Sequence, residues 1–133
     1  MMLVRGSSRW PETWSQVEPY LRDALTKGGD KDWSLEQIRG NLDSGRWGLY
    51  GVVSEEEGLV GAGCTAVSSY GLRNVLEIIL FAANINSGQW VETLAQLKQE
   101  AKLMGCTAIQ GRGRPGWARY LKAEPVNLFE IEV

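Results

Sequence analysis

The feature that most limits what this chain can fold into is the run Val75-Leu76-Glu77-Ile78-Ile79-Leu80-Phe81-Ala82-Ala83, nearly continuous apolar sequence with a single charge. Such a run, rich in branched side chains, predicts a strand buried on both faces, which needs other strands beside it and helices above and below. The polar stretch Asn84-Ile85-Asn86-Ser87-Gly88 breaks it. Trp90, Val91, Leu94, Leu97, Ala101 and Leu103-Met104 then recur at helical spacing, predicting a helix over about 89–104 that stops at Gly105. Cys106 to Gln110 is a further apolar strand, and strand-helix-strand order predicts a parallel pair joined by a right-handed crossover.

The remaining elements follow from the same signals. Trp14, Val17, Leu21, Ala24 and Leu25 predict a helix over 13–27 ending at Gly28-Gly29, with Pro19 expected to kink it or to start a second helix at Glu18. Ser34-Leu35-Glu36-Gln37 has the capping-box pattern, so a helix is predicted over 34–43. From Trp47 the period changes: Leu49 to Val53 and Leu59 to Tyr70 read as a hairpin around the turn Ser54-Glu55-Glu56-Glu57-Gly58, with a second turn at Gly71 to Asn74. The acidic turn reads as a solvated loop tip rather than a metal site. Pro115 suits the first position of a short helix over 115–122, and Val126 to Val133 alternates as a last strand.

With 133 residues, 44% hydrophobic and 23% charged, one domain with one core is expected. The chain has no histidine, which excludes a Ser-His-Asp triad, a histidine base and any histidine-ligated metal. A net charge of −2 and a pI near 5.2 disfavour nucleic acid as a partner. Cys64 and Cys106 stand alone in apolar surroundings and read as packing thiols in a reducing compartment. No stretch has the length of a signal peptide core or membrane span, so an intracellular protein without a membrane partner is expected. Six tryptophans read as core and seam residues.

The element order (two helices, hairpin, long central strand, polar loop, helix, strand, short helix, strand) resembles the GCN5-related N-acetyltransferase (GNAT) fold across nearly the whole chain. The fold class expected is therefore α/β, a mixed, mostly antiparallel sheet flanked by helices. The segments "SLEQIRGNLDSGRWGLYGVV", "GLVGAGCTAVSSY" and "WVETLAQLKQEAKLMGCTAIQGRGRPGWARYL" are similar to those of small acetyltransferase-like proteins encoded among bacteriophage virion genes, above all in Gly113-Arg114-Pro115-Gly116-Trp117-Ala118-Arg119-Tyr120-Leu121. These resemblances imply two roles. One is acetyl transfer from acetyl-CoA to an amine, without a metal, in the bacterial cytoplasm. The other is a catalytically inactive, virion-associated adaptor whose partners are other phage structural proteins.

The GNAT resemblance implies acetyl-CoA bound where two central strands splay, its diphosphate on the amides of Asn84, Asn86, Ser87, Gly88 and Gln89. The family pattern there is Q/R-x-x-G-x-G/A, and this chain offers one glycine. Where the family helix carries a tyrosine as proton donor, this chain has Lys122. A general base could instead come from Glu77 on the buried strand. Three readings stay open for "GRGRPGW": Arg112, Arg114 and Trp117 contacting nucleic acid, the arginines holding a phosphate or carboxylate, or glycine turns with Trp117 as a plug. As an Arg-Trp patch the same residues could anchor a protein partner.

Overall fold

The computed structural model describes residues 2–6, 11–27, 33–111 and 129–133. Six strands form one sheet in the order β1-β2-β3-β4-β5-β6: β1 Met2–Gly6, β2 Gly48–Ser54, β3 Gly58–Tyr70, β4 Arg73–Ala83, β5 Ala108–Gly111 and β6 Phe129–Glu132. Three helices accompany them: α1 Pro11–Lys27, α2 Leu35–Asp43 and α3 Ser87–Leu103. Every neighbouring pair is antiparallel except β4 and β5, the parallel pair that the strand-helix-strand order predicts. The α/β class with a mostly antiparallel sheet is thus the observed architecture.

The core divides in two along β4, the facing of its side chains switching at Ile79 where the register with β3 shifts. Leu80 and Ile79 join Leu49, Ala62 and Cys64 against Trp14, Val17, Leu21, Ile38 and Leu42 of α1 and α2. Leu76 and Ile78 join Ile109 and Cys106 against Leu97 and Ala101 of α3. The sheet therefore has one face for α1 and α2 and another for α3. The capping box of α2 is present, Ser34 Oγ accepting from the Gln37 N–H while the Gln37 side chain accepts from the Ser34 N–H.

Three expectations need correction. The first element is not a helix but β1, which pairs with β2 from Met2↔Val53 to Gly6↔Leu49; a five-residue strand whose partner lies more than forty residues on gives little local signal. Helix α1 is a single element running through Pro19, so no second helix starts at Glu18. Pro19 and Ser15, whose carbonyl loses its helical donor, both face solvent, while Trp14, Val17 and Leu21 hold the segment on the sheet. Third, β4 is interior in the strand order, yet only Val75, Leu76 and Leu80 of the nine-residue run are fully buried, the other six being half-buried. The 115–122 helix and the first residues of the 126–133 strand lie outside the described residues.

Candidate functional site

The pairing of β4 with β5 covers Val75↔Ala108 to Ile78↔Gly111, where the described part of that segment ends, whereas its pairing with β3 continues to Gly61↔Ala83. Among the described residues, Ile79–Ala83 therefore has a strand on one side and none on the other. Just beyond Ile78, β4 carries an irregularity: Thr65 pairs with Ile78 but Cys64 with Leu80, leaving Ile79 as an extra residue. A bulge bends its strand and re-aims the main chain.

β3 holds the open half of β4 unusually close. A Cβ on Gly63 would lie 2.5 Å from Phe81 Cδ2 and 2.7 Å from the Leu80 carbonyl oxygen, and one on Gly61 would meet the Ala83 side chain and lie 2.8 Å from the Ala82 oxygen. Glycine at 63 gives the Phe81 ring its place, tilted against Trp90 of α3 with centroids 5.1 Å apart. The Asn84 N–H donates to the Val60 carbonyl at 2.8 Å, and three residues later α3 begins.

That helix start is built by the five residues singled out from the sequence. Asn86 is the N-cap, its Oδ1 accepting from the Gln89 N–H at 2.9 Å while Gln89 Oε1 accepts from the Asn86 N–H at 2.9 Å. The box leaves the N–H groups of Ser87 and Gly88 as donors of the first turn without an intrahelical acceptor. A Cβ on Gly88 would meet only Asn86 Oδ1, at 3.4 Å, so the space over that turn is open. Asn84, Asn86, Ser87 and Gly88 are exposed and Gln89 half-buried.

Glu77 precedes the bulge by two residues and stands in register between Ala66 of β3 and Gln110 of β5. Alternation sets it on the face opposite Ile78, away from α3. Its Oε1 accepts a hydrogen bond from the Tyr70 hydroxyl at 2.8 Å, and Gln110 beside it is buried. Tyr70 escaped the sequence reading, although the tight turn at Gly71-Leu72 fixes the register Tyr70↔Arg73 that brings it within reach. Arg112, Arg114 and Trp117 lie outside the described residues; Glu77 lies on β4 and the helix start follows that strand's end.

Cys64 sits opposite Leu80, next to the bulge, where a thiol nucleophile would be well placed. Burial pushes its pKa up to about 12, which keeps it protonated and inert at neutral pH. Burial also pushes the Cys106 thiol up. Away from the site, Tyr50 and Arg5 form a tie to Glu100 of α3: Arg5 donates to the Tyr50 hydroxyl at 3.3 Å and lies 3.5 Å from the Glu100 carboxylate. The hydrogen bond to Tyr50 is the main influence raising the Arg5 pKa, whereas burial raises that of Tyr50.

No family model matches the sequence, and no curated protein matches it. Solved structures do. Tetrahymena GCN5 superposes with a TM-score of 0.72 over 100% of this chain and 96% of that one, at 9% identity. A probable acetyltransferase gives 0.69 over 90% and 84%, at 12% identity. The aminoglycoside acetyltransferase meta-AAC0020 from an uncultured soil metagenomic sample, solved with sisomicin, gives 0.60 over 84% and 76%, at 16% identity. At these identities the likeness is one of fold. The chain has the fold of the GCN5-related N-acetyltransferases.

Proposed function

We propose that the chain binds acetyl-CoA along the open half of β4 and transfers the acetyl group to an amine. The observation that carries this reading is that Ile79–Ala83 of β4, bulged at Ile79 and with no strand on its second side among the described residues, leads within four residues of its end into the start of α3. A free strand edge suits an extended chain of amides such as the pantetheine arm, and a helix N-terminus suits a diphosphate. The Ser87 and Gly88 N–H groups and the open space over Gly88 fit that role, while the capping box already engages two neighbouring amides. The acetyltransferases among the structural neighbours support the same reading.

In the reaction the amine nitrogen bonds to the acetyl carbon, the carbon–sulfur bond breaks, sulfur departs as the thiol, and the nitrogen sheds a proton. Main-chain N–H groups near the bulge are the donors that polarise the thioester carbonyl on this reading. Glu77, just before the bulge and on the face away from α3, is the base for the amine proton, and Tyr70 holds it. The chemistry needs no metal. The test is thiol release from acetyl-CoA over a panel of amines. Glu77→Gln is expected to lower kcat by about 100-fold or more. An unchanged rate removes Glu77 from the mechanism, and no thiol release with any amine removes the transferase.

A second reading rests on the capping box itself. A helix start that satisfies its own amides has less to offer a diphosphate, so the same scaffold could serve without acetyl-CoA as an adaptor among phage structural proteins. This agrees with the resemblance to proteins of virion genes. The transferase belongs in the bacterial cytoplasm and the adaptor in the particle. Mass spectrometry of purified virions separates them, a stoichiometric copy number favouring the adaptor.

A further inference from the structure

The bulge at Ile79 also decides where Phe81 points. Side chains alternate along a regular strand, so without an extra residue Phe81 would share a face with Ile79 and turn away from α3. The bulge shifts that alternation: Ile79 and Leu80 both pack with the α1 and α2 core, and Phe81 turns to the α3 face, opposite Gly63. Gly63 has no Cβ to contest the space, and the Phe81 ring lies over it, tilted by 49° against Trp90 with centroids 5.1 Å apart. Aromatic pairs prefer defined offset or tilted geometries, so this contact holds an angle as well as a distance.

Trp90 belongs to the first turn of α3, beside Ser87 and Gly88, whereas the later turns are held by Leu94, Leu97 and Ala101 on Leu76, Ile78 and Ile109. Between β4 and α3 run Asn84, Ile85 and Asn86, and the Asn84 N–H is fixed to the Val60 carbonyl at 2.8 Å. The start of α3 is therefore set relative to Ile79–Ala83 by that hydrogen bond at the strand end and by the Phe81–Trp90 pair at the helix.

We propose that Phe81 and Trp90 are positioning residues for the acyl donor, fixing the distance and angle between the edge of β4 and the first-turn amides of α3. On the acetyl-CoA reading, on which this rests, one covalent chain spans both places, its pantetheine arm along Ile79–Ala83 and its diphosphate at Ser87 and Gly88. The second contact of such a ligand is intramolecular, and it adds affinity only where the two places stand at the ligand's own spacing. Neither ring needs to touch the donor for this. Pantetheine, which ends before the diphosphate, cannot sense the spacing.

The test is titration of the isotope-labelled protein with CoA and, separately, with pantetheine, followed through its backbone amide resonances. Trp90→Leu removes the ring and leaves the packing of Leu97 and Ala101 in place, so the variant should fold. It should weaken CoA binding by about tenfold and shrink the CoA-induced shifts at Ser87 and Gly88, while pantetheine binding, read at Ile79–Ala83, stays within about twofold of the wild type. Trp90→Phe keeps an aromatic ring against Phe81 and should bind CoA within about threefold of the wild type. Phe81→Leu should repeat the Trp90→Leu pattern from the strand side, so that a folding defect in one variant does not decide the matter. Unchanged CoA affinity in Trp90→Leu overturns the proposal. So does a loss of CoA and pantetheine alike, since the rings then support the strand edge itself, and so does a wild-type chain in which pantetheine leaves Ile79–Ala83 unmoved at any concentration. A wild-type chain that shows no shifts with CoA removes the acetyl-CoA reading, and the proposal with it.

Discussion

A carboxylate works as a base only where its oxygens are held toward the proton they take, and Glu77 is held by one hydroxyl, that of Tyr70 at 2.8 Å. Tyr70→Phe keeps the half-exposed ring and removes only that bond. On the transferase reading kcat falls roughly tenfold with KM for acetyl-CoA unchanged, and adding Tyr70→Phe to Glu77→Gln costs nothing more, because the hydroxyl acts through the carboxylate. Steady-state kinetics of the two single variants and the double variant check this. The glycines of β3 answer to a different constraint. Gly63→Ala places a methyl group against the Phe81 ring and the Leu80 carbonyl, and urea denaturation should find it less stable by about 1–3 kcal/mol. Gly63 reads in the sequence as an ordinary strand glycine; only the cross-strand partner reveals why it is there.

Among the elements, α3 carries the interpretation because its N-terminus both stabilises the fold and faces the candidate ligand site. Asn86→Ala removes the acceptor for the Gln89 N–H and is expected to cost about 1 kcal/mol of stability, measurable by thermal or urea unfolding. Helices α2 and α3 were legible in the sequence because their ends are local: Ser34 with Gln37, and the glycine stops at Gly45 and Gly105, both of which adopt positive φ. The Asn86–Gln89 box has the same kind of spacing, but those residues read more readily as a phosphate loop than as a cap. The strands were legible where the apolar run is long, as in β4, and not where pairing is short and distant, as in β1. The bulge at Ile79 depends on how β4 registers with β3, which no window along β4 contains.

At the scale of the whole molecule, the sheet order, the parallel β4–β5 pair and the helices on either face are the consequences of one buried strand that needed partners on both sides. Among the described residues, the half of β4 beyond Ile78 has a strand on one side only, and it is assigned to an acyl donor. That assignment is the central claim, and the most direct measurement is titration of the isotope-labelled protein with CoA while following its backbone amide resonances. The account predicts saturable shifts concentrated at Ile79–Ala83 and at Ser87 and Gly88, with α1 and β1 unmoved. No shifts at millimolar CoA, or shifts confined to residues away from β4 and the start of α3, would contradict it.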